Sequence, residues 1–268
     1  MEQARRRRRN GPRWPRPGGG DGPLPRLALL LTPPNSGSTA IADFLFQHPA
    51  ALRLTPRYEG QWLVPGLSAR NRWDPGKAVD WDSVRAVWAA ALGPGAAAEG
   101  RFLIEKSPPH MMRHRAVAAL FPAHAAVVNV RDPFACVASM ALRYHDLDAL
   151  EGAARRTVLA ALTAEWAERA ARLRAIAEDE GRPVLTYEAF CRDPARIFAL
   201  FGIATEGVGI DPGRGVRVND HPVRPITDMN RAQIGRLRAE DREVIAAGLA
   251  GHRAVLAFFG YADDPEAG

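Results

Sequence analysis

The run A-A-V-V-N-V-R-D-P-F-A-C-V-A-S-M, residues 125–140, decides how this chain is read. Its apolar first half reads as a strand that ends at Arg131, and a helix begins just after it, with Ser139 about two turns in. In an open parallel sheet, ligands bind at the carboxyl edge of the strands. A guanidinium and a hydroxyl brought to that edge suit a phosphate group, because the guanidinium fork donates two charge-assisted hydrogen bonds.

A second strand-to-helix junction lies earlier in the chain. The apolar run 27–31 leads through T-P-P-N-S-G-S-T, residues 32–39, into the helical pattern 40–47. A tight turn at that junction points unpaired backbone N–H groups and the positive end of a helix at an anion. Gly37 permits positive φ or close approach, and Ser36, Ser38 and Thr39 add hydroxyl donors. The Walker A pattern requires a Lys that this loop lacks.

Strand and helix patterns alternate along the rest of the chain. Strands are expected at 27–32, 101–105, 125–130 and 183–186. Helices are expected at about 82–92, 111–121, 133–144 and 151–180, after Asp193-Pro194, and near 231–237 and 241–259. Residues 50–80 carry Pro, Gly and Trp and read as irregular, an acceptor-side lid; Trp62, Trp73 and Trp81 line an acceptor pocket or pack the core or lid. Such alternation gives an α/β fold with a central parallel sheet covered on both faces.

Taken together, these segments resemble the sulfotransferase family that uses 3′-phosphoadenylyl sulfate (PAPS). Ser36, Gly37, Ser38 and Thr39 match its phosphosulfate loop; Arg131, Asp132, Pro133, Ser139 and Met140 match its 3′-phosphate motif. E-K-S-P at 105–108, V-L-T-Y-E-A-F at 184–190 and F-F-G-Y at 258–261 follow in the family's order, and the chain is nearest to the tyrosyl-protein and carbohydrate branches. The resemblance implies a P-loop nucleotide-kinase-like α/β/α fold and transfer of a sulfuryl group from PAPS to a carbohydrate, small-molecule or tyrosyl acceptor, without metal. It also implies that Asn35 to Thr39 hold the 5′-phosphosulfate, Arg131 and Ser139 the 3′-phosphate, and Tyr187 the adenine neighbourhood. Arg217, in the basic Gly-rich loop 213–217, is the expected late contact to the nucleotide.

Lys106, at the end of an apolar run and beside Ser107-Pro108, is the candidate cation for the transferring group. Glu59, which follows His48-Pro49, is the first candidate for the base, and His110 is the second. The family places Lys or Arg where this chain has Asn35, which opens the alternative of a nucleotide-binding protein with impaired catalysis. A P-loop-like kinase is a further alternative, with the missing Walker Lys against it.

The chain has 268 residues and a formal net charge of +6. Eight of its arginines, against Glu2 and Asp21, fall in residues 1–26, which accounts for the whole excess and leaves residues 27–268 balanced. The basic character therefore belongs to a tail, not to a face for specific nucleic-acid binding. That Arg-, Pro- and Gly-rich tail is expected to be disordered, with one domain over 27–268. It lacks the apolar region of a signal peptide, and no segment reaches the ~18 apolar residues of a membrane span, so a cytoplasmic setting is expected. The two cysteines, Cys136 and Cys191, show no metal-ligand spacing. Acceptor identity and oligomeric state have no signature in the sequence.

Overall fold

A computed structural model describes residues 24–218 and 221–263. Of the expected tail, only residues 24–26 fall within it; Leu24 is buried and Arg26 opens the first strand.

Among the described residues the strands are β1 (Arg26–Leu31), β2 (Ala51–Arg53), β3 (Phe102–Glu105), β4 (His124–Val130) and β5 (Val184–Thr186). The helices are α1 (Ser38–Leu45), α2 (Pro65–Ser68), α3 (Trp81–Leu92), α4 (His114–Ala118), α5 (Pro133–Tyr144), α6 (Gly152–Glu180), α7 (Tyr187–Arg192), α8 (Arg196–Phe201), α9 (Asn230–Ile234), α10 (Ala239–Leu249) and α11 (Arg253–Phe259). The five strands form one parallel sheet in the order β2-β3-β1-β4-β5. Leu29 of β1 stands beside Glu105 of β3, and Leu31 of β1 beside Val128 of β4, so the strands that carry the site end at one edge.

The sheet is apolar on both faces, and β1 shows why it reads as a continuous apolar run. Leu27, Leu29 and Leu31 pack on one side with Trp88, Phe134 and Trp166. Ala28 and Leu30 pack on the other with Phe44, Phe190 and Phe198. A strand alternates its side chains, so only a sheet covered on both faces demands apolar residues at every position. No described helix is long and apolar enough to cross a membrane.

Several boundaries depart from the expected ones. Residues 50–80 hold the edge strand β2 and a 3-10 turn, Gly60–Leu63. Three residues are too few for a period-2 signal, and pairing with β3 alone makes them a strand. The helix expected at 111–121 is broken into a 3-10 turn, Pro108–Met112, and the short α4. Asp193-Pro194 does not cap a helix: Asp193 ends α7, and α8 starts after Ala195 in helical conformation. The C-terminal pattern 241–259 is split by a 3-10 turn at Ala250–His252.

Candidate active site

Four strand ends open into one cavity of about 700 Å³. From β1 comes the loop 32–37, from β3 Lys106, from β4 Arg131 and from β5 Tyr187. The chain leaves β1 toward β2 and β3 on one side and returns to β4 and β5 on the other, so the cavity sits where the strand order reverses.

The loop after β1 is held from below. Thr32 Oγ1 donates to Asn129 Oδ1 (2.9 Å), and Asn129 Nδ2 donates to the carbonyl of Leu185 (3.1 Å), so one buried amide ties β1 to β5 through β4. Asn35 takes a left-handed backbone conformation, φ 59°, which Asn tolerates better than most residues. Gly37 also lies there, at φ 77°, and caps α1 without any side-chain hydrogen bond. A Cβ at Gly37 would stand 2.3 Å from Tyr187 Cδ2, so the ring closes directly on the loop. The N–H groups of Ala40 and Ile41 both donate to the carbonyl of Gly37 (2.9 and 3.2 Å), which leaves those of Ser38 and Thr39, two residues that line the cavity, for an external acceptor.

Arg131 is buried, 5% exposed, and each part of its guanidinium faces something different. Nε donates to Asn230 Oδ1 (2.8 Å), Nη1 donates to the carbonyl of Asn35 (3.2 Å), and the group lies 4.4 Å from the Tyr187 ring centre. Nη2 is buried and has no hydrogen-bond acceptor among the described residues, and the same holds for Asn35 Nδ2. Both residues line the cavity, as does Ser139. Two buried donors without acceptors, one of them charged, fit an anionic group, because an unsatisfied buried donor costs about 1–3 kcal/mol.

Lys106 is 3% exposed. Its Nζ donates to Glu59 Oε1 (2.6 Å) and Thr39 Oγ1 (3.0 Å), which brings together three residues 20 to 67 positions apart. The other oxygen of Glu59 accepts from Gln61 Nε2 and Trp62 Nε1, both at 2.8 Å. Burial pushes the Glu59 carboxyl up, but the Lys106 charge and the hydrogen bonds from Lys106, Gln61 and Trp62 outweigh it and hold the group below the usual carboxylate range.

Glu105 fixes this pair. It is fully buried; Oε2 accepts the N–H of Gly60 and Oε1 the N–H of Ser107, both at 2.7 Å. Those are the peptide groups immediately after Glu59 and Lys106. The N–H of Lys106 donates to the carbonyl of Tyr58 (2.9 Å), so the two segments are laced from both sides.

Glu188 fixes the Arg131 end. Its Oε1 accepts from the N–H of Asp132 (3.0 Å) and from Asn230 Nδ2 (2.6 Å), and its Oε2 from the hydroxyl of Tyr261 (2.8 Å). The F-F-G-Y segment thus reaches the site through Tyr261. Tyr187 donates to the carbonyl of Thr227 (2.9 Å) and binds the loop that closes the cavity. Burial raises its hydroxyl pKa far above the usual value, so it serves as a neutral wall.

Three of the expected catalytic and nucleotide-contact residues do not line the cavity, and Trp81 packs against the core instead. Ser36 is fully buried and faces Cys136 Sγ at 3.9 Å. His110 is 1% exposed, packed against Trp88, with Nδ1 at 3.1 Å from Glu105 Oε1. That contact is near in distance but off line, since neither ring nitrogen makes a hydrogen bond among the described residues. A position behind the strand end removes His110 from the reach of an acceptor proton. Arg217 is exposed, with its backbone N–H on Asp43 Oδ2 (2.9 Å); Arg224, in an antiparallel bridge with Val216, lines the cavity. Asn35, Gly37, Ser38, Thr39, Glu59, Lys106, Arg131, Ser139 and Tyr187 all line it. The sequence did not bring out Asn129 or Asn230, and Glu105 and Glu188 stood there only inside motifs, without a role. Glu105 left one trace, an acidic residue closing an otherwise apolar run. Asn230 left none, since its partner Arg131 is 99 residues away.

The chain belongs to the Sulfotransferase family, whose model matches residues 29–200; the chemistry of that family is sulfuryl transfer. Nodulation protein NoeE of Sinorhizobium fredii is 35% identical over 136 residues, covering 44% of this chain and 32% of NoeE, so the chain spans about a third of that relative's length. The fold is shared with a sulfotransferase from Alicyclobacillus acidocaldarius (TM-score 0.53, 18% identity, 88% of this chain and 96% of that one). It is also shared with the sulfotransferase domain of the Synechococcus PCC 7002 olefin synthase (TM-score 0.51, 20% identity, 88% and 98%).

Proposed function

We propose that the protein moves a sulfuryl group from PAPS to a hydroxyl of an acceptor. The observation that carries this reading is the convergence of Arg131 Nη2 and Asn35 Nδ2, both buried without acceptors, on a cavity that also holds Lys106 and the open end of α1. In this reading Arg131 and Ser139 hold the 3′-phosphate, and the N-terminus of α1, Ser38 and Thr39 hold the 5′ end. Bound PAPS supplies the sulfuryl group: the acceptor oxygen bonds to sulfur as the sulfur–oxygen bond to the 5′-phosphate breaks, leaving adenosine 3′,5′-bisphosphate.

The chain's own contribution is a cation, a base and their alignment. Lys106 is the group that offsets negative charge on the leaving side, the role that positioned donors play in such transfers. Asn35 brings a neutral donor to the loop, and Lys106, 3.0 Å from Thr39, brings the charge. Glu59 takes the acceptor proton. An anion at the start of α1 competes with Glu59 for Lys106, and loosening that pair leaves burial free to raise the proton affinity of Glu59 toward that of a working base.

The test is calorimetric titration with adenosine 3′,5′-bisphosphate, AMP and ATP, on wild type and Arg131→Ala. Micromolar binding that requires the 3′-phosphate and weakens about 30- to 150-fold in Arg131→Ala supports the reading, as a charge-assisted contact of ~2–3 kcal/mol demands. Equal affinity for AMP overturns it. The uncharged Asn35 favours one second reading, a nucleotide-binding protein with impaired turnover; a gain of turnover in Asn35→Lys without tighter nucleotide binding is its signature.

A further inference from the structure

The ionisable residues that line the cavity are unequal: Arg57, Arg72, Lys106, Arg131, Arg143, His221 and Arg224 stand against one carboxylate, Glu59. Glu59 is already paired with Lys106, so the remaining wall is cationic. Part of this charge belongs to the nucleotide end, around Arg131 and Ser139. Arg72 does not. Its guanidinium lies 5.4 Å from the ring centre of Trp62, and the indole N–H of Trp62 donates to Glu59 Oε2, so Arg72 stands on the side of the base.

The backbone at Arg72 is held in place. Its carbonyl accepts from Arg113 Nη1 (2.9 Å), and Arg113 Nη2 donates to the carbonyl of Asp74 (2.7 Å), with Arg113 itself 8% exposed. The next residue, Trp73, lines the cavity and is backed by Arg169 at 4.2 Å. Arg72 has no carboxylate partner among the described residues, and Trp62 beside it is 48% exposed. A guanidinium without a carboxylate partner, carried on an anchored backbone next to an open aromatic face and the base, is a receptor for an anion attached to a ring.

Resting on the donor assigned above, we propose that the acceptor is a hydroxy-acid: a ring that carries a carboxylate or sulfate near the hydroxyl to be modified, the anion taken by Arg72. The cation has a physical task. An anionic acceptor is repelled by an anionic donor in the same cleft, and a guanidinium at its far end offsets that repulsion and orients the hydroxyl toward Glu59. A neutral acceptor needs no such residue.

The experiment uses the full chain saturated with adenosine 3′,5′-bisphosphate and two matched pairs of probes. 4-Hydroxybenzoate is compared with 4-hydroxybenzamide, and methyl glucuronoside with methyl glucoside; binding is followed by calorimetry. The acid of at least one pair is expected to bind about tenfold more tightly than its neutral partner. The gap closes in Arg72→Ala and is partly kept in Arg72→Lys, and the scaffold that shows it separates aryl from sugar acceptors. Bisphosphate binding with no gap between acid and neutral probes, or a gap that survives Arg72→Ala, overturns this inference alone. Failure of the bisphosphate itself to bind sinks the donor reading and this inference with it.

Discussion

Two strand-to-helix turns stand side by side at the same sheet edge, β1 to α1 and β4 to α5, and they treat the helix N-terminus in opposite ways. At α5, Asp132 is the cap, and its Oδ1 accepts the N–H of Ala135 (2.8 Å). At α1 the cap is Gly37, with no side chain to offer and a left-handed backbone. A capped end is satisfied and carries a carboxylate that repels anions; an open end leaves N–H groups for a ligand. The second turn contributes a side chain instead, Arg131, one residue before the cap. The same local fold thus supplies a backbone site at one turn and a guanidinium at the other. The lesson is that the cap residue, not the helix, decides which it is.

The largest expected break of this contrast is Gly37→Ala. A Cβ there meets Tyr187 at 2.3 Å on a backbone that L-residues avoid, so the ring that stacks on Arg131 is displaced. Affinity for adenosine 3′,5′-bisphosphate should fall more than about a hundredfold, roughly 3 kcal/mol, in a protein still folded by circular dichroism. Unchanged affinity in calorimetry would falsify the role given to this turn.

Asp132 sharpens the contrast from the capped side. Burial, reinforced by the nearby Glu188 carboxylate, pushes its pKa from 3.8 up to about 6, against the pull of Ala135 N–H and Arg131. A raised folded-state value means that its contribution to stability is full below pH 4 and is lost as pH rises through about 6. Asp132→Asn, which keeps a capping oxygen, should match wild type near pH 4 and exceed it above pH 6 by up to ~3 kcal/mol. Urea unfolding at the two pH values reads the difference, and parallel curves would refute it.

Glu105→Gln tests the lacing of Lys106 to Glu59. It turns an amide N–H₂ toward one of the two backbone donors that Glu105 now satisfies. A loss of about 1–3 kcal/mol in unfolding free energy is expected. A midpoint that does not move leaves the strap without a role.

The smallest effect concerns protons. With its folded-state pKa held below 4.5, Glu59 stabilises the fold above that pH, and the contribution fades as pH falls through the depressed value. Lys106→Met removes the largest opposing charge and leaves burial to act. The Glu59 carboxyl, followed by carbon-detected NMR, should then titrate at higher pH than in wild type. A titration at or below the wild-type value would mean that Gln61 and Trp62 hold the carboxylate without Lys106.

The fold was legible because a parallel sheet buried on both faces writes itself as short apolar runs, and 27–31 and 125–128 are such runs. The start and end of α5 were legible for a related reason: Asp132-Pro133 opens it locally, and the polar His145 closes its apolar pattern. β2 and the break between the 3-10 turn and α4 were not, because three- to five-residue elements have too little period to stand out and exist through their neighbours. Within the site, residues carried by contiguous motifs emerged from sequence: Gly37 to Thr39, Lys106, Arg131 and Ser139. Sequence also placed Ser36, His110 and Arg217 with them, since a motif specifies which residue is present but not which way it turns.

What the sequence determined by itself was the alternation of strands and helices, the two turns that face the sheet edge, and the chemistry available there. These depend on interactions between residues a few positions apart. What only the tertiary structure decided was partnership. Lys106 with Glu59 and Thr39, Arg131 with Asn230, Glu105 with Gly60, Arg72 with Trp62 and the freedom of Arg131 Nη2 are all set by how the sheet and its loops bring distant segments together. Hydrogen bonds act over about 3 Å of space, and the distance along the chain carries no record of them.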